Sequence, residues 1–363
     1  MRGSMVKPTI MVDGHVLDGT PQGSGAYIAG LYGELAREGL ARVVMCCHDE
    51  RSVARWFPGA PEIEWEPLHS TGRFDRLAVE LPRIQAKMKP DFAHFNYICP
   101  LRKTGPWINV IHDLLFLDHP RYFPLGYRLK NAMLFRVSAM RSDKIVTSSH
   151  YSRDAIHRHF GISRERIHVV PAAPDAFVDA AAEAIPNLTP GRFAVYVSRF
   201  EPRKNQHTLV NAFHQLVGEL EPDQTLVLVG SPALDYPELS EALAVAGDRV
   251  QHLSNISHSQ LTWLYRNACA SIYPSHAEGF GMPIIEAVAA GGVSYCADNT
   301  AMSELVPYVH AGFDENDQEE VRAVVRRAFS RSRTETDDIV RERMLKKFTW
   351  TASAHALVEA LRA

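Results

Sequence analysis

The sequence predicts an α/β protein of two domains, each built around a parallel β-sheet with helices on both faces. The chain has 363 residues, which is long enough for two cores of ordinary size. Apolar runs typical of buried strands alternate with helical stretches, and this alternation occurs twice along the chain. Open parallel sheets bind ligands beyond the carboxyl ends of their strands. We therefore expect two Rossmann-like domains whose sheets face an interdomain cleft.

Each of the two series contains several strand-like runs. The runs of the first series are residues 9–12, 43–47, 92–95, 108–111 and 144–147. The runs of the second series are residues 193–197, 225–229, 250–253, 270–273 and 293–296. The stretch between the two series is rich in Pro, Ala and Asp, which is typical of a connection. We predict an N-terminal domain over 1–170, a linker over 171–191 and a C-terminal domain over 192–345.

The composition excludes several classes of protein. Hydrophobic residues make up 46% of the chain, charged residues make up 22%, and the net charge is -3. These values are typical of a soluble globular protein and argue against nucleic-acid binding. The five cysteines are odd in number and form no CxxC, so we expect reduced thiols in a cytoplasmic protein, without a disulfide or zinc site. No apolar stretch reaches the ~20 residues of a membrane-spanning helix, and residues 1–4 resemble an expression-vector leader.

The most informative segment is residues 275–287, SHAEGFGMPIIEA. It follows a strand-like run and opens an apolar helix, with Pro283 in the first turn, where its missing N–H costs nothing. Helix N-termini leave backbone N–H groups free for a ligand, and glycines let the main chain approach it. Glu278 lies in the loop, within reach of a sugar ring, whereas Glu286 lies about one turn into the helix, where it can accept hydrogen bonds from a ribose.

The spacing of Glu278 and Glu286 resembles the Glu-x7-Glu signature of retaining glycosyltransferases of family 4, and the text EGFGMPIIEA matches it closely. The resemblance extends over nearly the whole chain and implies the GT-B fold, with two Rossmann-like domains and a terminal helix, here 346–363, that crosses back to the N-terminal domain. It implies a sugar-contacting role for Glu278. It assigns donor binding to Ser198, Ile256, Gly279, Phe280, Gly281, Met282 and Glu286. Two ordinary surface glutamates are the alternative interpretation.

A basic loop, SRFEPRKN, follows the strand-like run 193–197 and is the candidate phosphate site. Arg199 can bind phosphate oxygens through its planar guanidinium, and Lys204 can follow the negative charge that develops on a leaving diphosphate. The family carries an arginine and a lysine at these places, so the resemblance gives both residues a catalytic role. The family commonly has Gly at the position of Ser198. The sequence leaves the role of Arg203 open. A solvated basic loop is the alternative.

Three features of the N-terminal domain complete the predicted site. Gly23, Ser24 and Gly25 precede a helical pattern and resemble the family's first-loop glycines beside the acceptor, although a plain strand-to-helix turn is equally compatible. His112 follows the apolar run 107–111, and the resemblance implies contact with the donor sugar. A purely structural histidine is the alternative. Ser149 either contacts the acceptor or caps a helix.

Residues 120–144 predict a basic amphipathic helix. Six cations occur among apolar and aromatic residues: Arg121, Arg128, Lys130, Arg136, Arg141 and Lys144. Such a helix can lie on an anionic membrane surface, and a core helix with a solvated basic edge is an equal alternative. Many bacterial family members use polyprenyl-diphosphate-linked acceptors, which favours peripheral binding to the cytoplasmic face of the inner membrane.

The resemblance implies a retaining glycosyltransferase that uses a nucleoside diphosphate sugar. Similarity to bacterial polysaccharide and O-antigen mannosyltransferases favours transfer of mannose from GDP-mannose to a saccharide or lipid-linked saccharide acceptor. UDP-glucose-dependent transfer, a nucleotide-sugar epimerase of the same fold and a non-enzymatic nucleotide-sugar sensor are the alternatives. Since no DxD-like motif lies near the phosphate site, we expect metal-independent transfer without a cofactor.

Overall fold

The computed structural model describes residues 7–19, 23–60, 62–331 and 335–363. For Glu335 and Thr336 it describes the backbone but not the side chains. Residues 1–4, predicted as a leader, lie outside the described residues. The chain forms two units. One comprises Met1–Ala173 and Thr349–Ala363, and the other comprises Pro174–Phe348.

Within the described part of the first unit, seven parallel strands form one sheet in the order β3-β2-β1-β4-β5-β6-β7. The strands are β1 (Thr9–Asp13), β2 (Arg42–Cys47), β3 (Ile63–Pro67), β4 (Phe92–Asn96), β5 (Trp107–Val110), β6 (Lys144–Thr147) and β7 (Ile167–Val169). The central strands are almost continuously buried, as expected for a parallel sheet covered on both faces. Strands β3 and β7 were not predicted, and they are edge strands with only one fully buried residue each.

Helices connect these strands. They are α1 (Gly23–Arg37), α2 (Glu50–Trp56), α3 (Arg73–Asp75), α4 (Leu81–Met88), α5 (Leu115–Asp118), α6 (Leu125–Arg141) and α7 (His150–Phe160). The sequence predicts that Gly23, Ser24 and Gly25 precede the first helix, but the helix begins at Gly23. The first-loop glycines therefore belong to its first turn. Among the described residues, no helix has the length and apolar character required to cross a membrane.

The second unit repeats the architecture. Six parallel strands of its described residues form a sheet in the order β10-β9-β8-β11-β12-β13. The strands are β8 (Phe193–Val197), β9 (Thr225–Val229), β10 (Val250–Leu253), β11 (Ser271–Tyr273), β12 (Ser294–Ala297) and β13 (Ala311–Phe313). The helices are α8 (Gln206–Gln215), α9 (Pro237–Ala246), α10 (His258–Asn267), α11 (Met282–Ala289), α12 (Gln318–Ser330) and α13 (Glu335–Lys347).

The two sheets confirm the predicted α/β class with two Rossmann-like domains. The stretch predicted as a linker, 171–191, places Phe177 and Leu188 in the core of the second unit. The last helix, α14 (Trp350–Arg362), belongs to the first unit and packs against α1. Ser353 Oγ on this helix donates a hydrogen bond of 2.7 Å to the carbonyl oxygen of Pro171.

Candidate active site

The loop between β11 and α11 has the predicted strand, glycine turn and helix. Gly281 adopts a φ of 107°, and a Cβ there would lie 2.7 Å from Ile284 Cδ1 and 3.1 Å from Leu305 Cδ1. The backbone conformation therefore favours glycine strongly, and a larger residue would also have to displace the two methyl groups. Met282 is the first residue of α11 and Pro283 the second, so the proline occupies the first turn as expected.

Glu278 lies between two cations from the loop after β8. Lys204 Nζ donates a hydrogen bond of 2.6 Å to Glu278 Oε1, and Arg203 Nη1 lies 3.2 Å from Glu278 Oε2. Burial of Glu278 raises the pKa of its carboxyl, but the charges of Lys204 and Arg203 outweigh that effect and lower the pKa to about 2. The carboxylate is therefore ionised at neutral pH.

The structure separates the roles of the two arginines in the basic loop. Arg203 Nη2 donates a hydrogen bond of 2.5 Å to Glu201 Oε1, and Arg203 Nη1 also donates to the carbonyl oxygen of Ala277. The Arg203 side chain is 11% exposed. In contrast, the Arg199 side chain is 72% exposed and lies 3.8 Å from Glu201 Oε2. Arg203, whose role the sequence left open, is therefore the arginine that contacts Glu278.

Buried polar contacts hold the two loops together. Tyr196 Oη donates a 2.7 Å hydrogen bond to the carbonyl oxygen of Lys204 and lies 2.9 Å from Ser275 Oγ. Asn205 has a φ of 56° and donates through Nδ2 to the carbonyl oxygen of Pro274 at 3.0 Å. Sequence reasoning missed these supporting residues. Two features of the sequence could have indicated them. Tyr196 lies within a buried strand, where its hydroxyl needs a partner, and Asn205 is a residue type that tolerates the left-handed conformation.

Ser198 is fixed in the turn after β8. Gln206 Nε2 donates hydrogen bonds to Ser198 Oγ at 2.9 Å and to the carbonyl oxygen of Arg199 at 2.8 Å. A Cβ at Gly230, which has a φ of 150°, would overlap the Ser198 carbonyl oxygen. Gly230 was not among the predicted residues, although a glycine directly after a strand is a signal for a close backbone approach.

Glu286 lies on α11 beside Tyr265, whose hydroxyl donates a 3.1 Å hydrogen bond to Glu286 Oε2. Burial raises the pKa of the Glu286 carboxyl to about 7, and the bond from Tyr265 only partly opposes this rise. The two predicted glutamates therefore differ in charge. Near neutral pH Glu278 is ionised, whereas Glu286 is divided between its neutral and ionised forms.

The remaining predicted donor residues of the second unit are Gly279, Phe280 and Ile256. The Phe280 ring packs edge-on against Phe348, with centroids 5.8 Å apart. Gly279 precedes Phe280 in the turn before α11. Ile256 is partly buried against the core of the unit and precedes Ser257, the N-cap of α10. Contact between Ile256 and a nucleobase stays a prediction.

In the first unit, His112 follows β5 and its ring lies edge-on to Tyr27, with centroids 4.8 Å apart. Burial lowers the pKa of the His112 imidazole to about 4, with a smaller contribution from His94. The imidazole is therefore neutral near pH 7. Within the described part of the chain, buried His112 Nε2 has no hydrogen-bond partner. A neutral ring nitrogen without a partner is available to a ligand hydroxyl.

The other predicted residues of the first unit lie at helix N-termini. Gly23 and Ser24 begin α1, and a Cβ at Gly25 would lie 3.3 Å from the Trp56 ring. Ser149 is the N-cap of α7, and its Oγ accepts a 3.1 Å hydrogen bond from Ser152 N. The capping interpretation of Ser149 is thus correct, and its contact with an acceptor stays a prediction.

Over the described ranges, no group of three or more His, Cys, Asp or Glu side chains is arranged to hold a metal ion. The expectation of metal-independent transfer stays a prediction.

Two family models match successive parts of the chain. The model described as "Glycosyltransferase Family 4" matches residues 21–176, and the model described as "Glycosyl transferases group 1" matches residues 178–343. The chain belongs to glycosyltransferase family 4. The second match contains Lys204, Glu278 and Glu286, and the first contains His112, so both groups of predicted site residues lie in matched segments.

Curated relatives of this family 4 member include bacterial mannosyltransferases. "O-antigen chain mannosyltransferase B" of Escherichia coli is 28% identical over 257 residues, which cover 67% of this chain and 67% of the relative. "Serotype-specific mannosyltransferase WbdA" of Escherichia coli is 26% identical over 277 residues, which cover 70% of this chain and 33% of the relative. The chain thus spans only about a third of the length of WbdA.

Solved structures confirm the GT-B fold. Sucrose-phosphate synthase from Thermosynechococcus elongatus has a TM-score of 0.73 at 20% identity, covering 98% of both chains. Anabaena HepE in complex with UDP and glucose has a TM-score of 0.72 at 17% identity, covering 99% of this chain and 100% of HepE. At these identities the likeness shows the fold alone.

Proposed function

We propose that this glycosyltransferase transfers mannose from GDP-mannose to a saccharide acceptor, with retention, during synthesis of a bacterial surface polysaccharide. One observation carries the proposal. Lys204 and Arg203 flank the ionised Glu278 directly before the N-terminus of α11, so cations, a carboxylate and a helix N-terminus lie together. A nucleoside diphosphate sugar offers complementary groups, because its diphosphate needs cations and its sugar hydroxyls need acceptors.

The main catalytic contribution is stabilisation of the leaving diphosphate. As the glycosidic bond breaks, negative charge accumulates on the diphosphate, and Lys204 and Arg199 neutralise it in the transition state. The exposed Arg199 side chain is free to reorient towards a phosphate. We assign Ser198 to the same phosphate-binding turn. The departing diphosphate therefore needs no protonation by an acid.

The sugar and the ribose are held by different groups. Ionised Glu278 accepts hydrogen bonds from sugar hydroxyls, and the backbone N–H groups around Phe280, at the N-terminus of α11, donate to sugar oxygens. Glu286 accepts from the ribose hydroxyls, which favours its ionised form. In the first unit, the neutral His112 hydrogen-bonds a hydroxyl of the transferred sugar.

Mannose is favoured as the transferred sugar by the names of the Escherichia coli relatives. UDP-glucose is the second candidate, because a structure of the similar Anabaena HepE contains UDP-glucose. The test supplies each nucleotide sugar with candidate saccharide acceptors and measures both release of the nucleotide and formation of a glycoside. We expect glycoside formation from GDP-mannose to be faster. Conversion of a nucleotide sugar without an acceptor would instead indicate an epimerase, and binding without turnover would indicate a sensor.

The surface of α6 supports a lipid-linked acceptor at an anionic membrane. The helix buries Asn131, Phe135, Ser138 and Ala139, which explains part of the pattern as core packing. Five further apolar side chains of the helix are exposed at helical spacing: Leu125, Leu129, Met133, Val137 and Met140. Cations occur along the same helix, and the sequence contains no Asp or Glu between residues 119 and 142. Exposed apolar side chains beside cations are typical of a helix that lies in the membrane interface.

Flotation with liposomes tests peripheral binding. We expect the protein to float with vesicles of phosphatidylglycerol and phosphatidylcholine, and to float much less with phosphatidylcholine alone. Leu129→Glu should abolish flotation. Val245→Glu is the matched control, because Leu129 and Val245 are both 64% exposed and Val245 lies on α9 in the second unit. Equal flotation of the two variants, or flotation independent of anionic lipid, would contradict peripheral binding to an anionic membrane through α6.

A further inference from the structure

Five charged side chains of the second unit alternate in sign along one connected series. In order they are Arg199, Glu201, Arg203, Glu278 and Lys204, which we name the charge chain. Consecutive members are separated by 3.8, 2.5, 3.2 and 2.6 Å between charged atoms. Both ends of the charge chain are cations, and each of its carboxylates lies between two cations.

The middle cation differs from the two at the ends. Arg203 contacts both carboxylates of the charge chain and also donates to the carbonyl oxygen of Ala277, so its guanidinium is held on two sides. Arg199 contacts Glu201 at one end, and Lys204 contacts Glu278 at the other. If either end cation moves to a new anion, its carboxylate still retains Arg203.

This arrangement matters because the Glu278 side chain is only 15% exposed. A buried carboxylate that loses its last cation is strongly destabilised. With Lys204 as the only counter-ion, the carboxylate would compete directly with a diphosphate for the same ammonium group. Arg203 reduces that competition, because it keeps Glu278 compensated while Lys204 contacts a phosphate oxygen.

We propose that Arg203 is a positioning residue that stays bound to Glu278 and thereby releases Lys204 to the diphosphate of the donor. The inference rests on the proposed function only where that function assigns Lys204 to a diphosphate. It gives Arg203 no direct contact with substrate. Its effect must therefore depend on the charge of Glu278, and a direct phosphate ligand would show no such dependence.

A double-mutant cycle measures this dependence with inorganic pyrophosphate as the ligand. Calorimetric affinities are compared for the wild type, Arg203→Met, Glu278→Gln and the double variant, all as the full chain. In the wild-type background we expect Arg203→Met to weaken pyrophosphate binding by about tenfold or more, because Glu278 then retains Lys204. With Glu278→Gln present, the same substitution should change the affinity by less than about threefold. Equal losses in both backgrounds would overturn the inference, because they would show direct contact.

Matched variants separate this effect from charge loss and from misfolding. Arg326→Met removes an exposed arginine on α12 that pairs with Glu219, and it should leave pyrophosphate affinity unchanged. Circular dichroism and the melting temperature report folding. If Arg203→Met does not fold, Arg203→Lys replaces it, and its smaller loss of affinity should again disappear with Glu278→Gln.

Other outcomes distinguish the inference from the proposed function. Absence of pyrophosphate binding by the wild type, or unchanged affinity in Arg203→Met, would overturn the inference. If the wild type binds pyrophosphate but turns over neither GDP-mannose nor UDP-glucose, the proposed function fails and the cycle still decides the role of Arg203. If Arg203→Met lowers kcat for the donor, and this loss disappears when Glu278→Gln is also present, both the inference and the proposed function are supported.

Discussion

Lys204 Nζ lies 2.6 Å from Glu278 Oε1, and this ion pair joins the loop after β8 to the loop before α11. The residues are separated by 74 positions in the sequence, yet each is only 15% exposed. Ion pairs of this kind contribute little to net stability, because removing both charges from water is costly. In the proposed function, the pair holds a cation and an acceptor at fixed positions before the ligand arrives.

Lys204→Ala should lower the rate of sugar transfer by about 100- to 1,000-fold, because it removes a cation that stabilises the leaving diphosphate. The fold should survive, since Arg203 still neutralises Glu278. Initial rates with GDP-mannose and UDP-glucose, together with circular dichroism, check this expectation. Lys346→Ala is the matched control, because Lys346 is an exposed lysine on α13. Near-normal transfer by Lys204→Ala would refute the role assigned to Lys204.

The raised pKa of Glu286, about 7, predicts a dependence of donor binding on pH. Between pH 6 and 8 its ionised fraction rises from about one tenth to about nine tenths, and the carboxylate accepts hydrogen bonds from ribose better than the acid does. The KM for the donor should therefore fall as pH rises through 7. In Glu286→Gln this dependence should be lost, and a KM that still follows pH in that variant would contradict the assignment.

The raised pKa of Glu286 also predicts that the stability of the fold falls as pH rises, whereas donor binding improves. Its pKa in the folded protein exceeds the ordinary value of 4.5, so the folded state binds more protons than the unfolded state between those pH values. This contribution to stability is fully present below pH 4.5 and is lost as pH rises through about 7. Glu286→Gln should therefore gain melting temperature relative to the wild type as pH rises from 5 to 8. A constant difference across that range would show that Glu286 does not titrate there.

The structure brings the predicted Glu278 and Lys204 into contact, but the sequence did not predict which other side chains hold them. Glu278, Lys204 and Glu286 were identified because a glycine turn, a helix start and a strand end are local patterns. The sequence could not predict that Arg203 contacts Glu278 while Arg199 is largely exposed, because both cations follow the same strand. It is decided by Glu201 and by the carbonyl oxygen of Ala277, and only the folded chain shows which arginine they hold.

Fold prediction failed where the local signal was weak. The central strands were found because they are continuously apolar, whereas β3, with the sequence IEWEP, and the three-residue β7 carry too few apolar residues. The start of α1 was placed too late, because Gly23 and Gly25 have low helix propensity. Packing on Trp56 explains why a glycine occupies position 25 within that helix.

Two histidines whose pKa is lowered predict that the first unit loses stability in acid. Burial lowers the pKa of His94 and His112 to about 4, below the ordinary value of 6.5. The unfolded state therefore binds more protons than the folded state between pH 6.5 and 4, and stability falls as pH falls through that range. His94→Gln should reduce the dependence of the melting temperature on pH. His69→Gln, at an exposed position, should not, and identical slopes for both variants would contradict the prediction.

The close contact between Gly30 on α1 and Trp350 on α14 allows a test of how much the packing of these two helices contributes to stability. A Cβ at Gly30 would overlap the indole ring of Trp350, which also packs edge-on against Tyr27 at 5.7 Å. Gly30→Ala must displace this ring and should cost about 1–3 kcal/mol of stability. Gly33→Ala is the matched control on the same helix, because its Cβ would make an ordinary 3.5 Å contact with Phe57. Its better helix propensity should stabilise the protein by about 0.5–1 kcal/mol. Urea unfolding compares the two variants, and a Gly30→Ala protein at least as stable as Gly33→Ala would show that α14 does not depend on this contact.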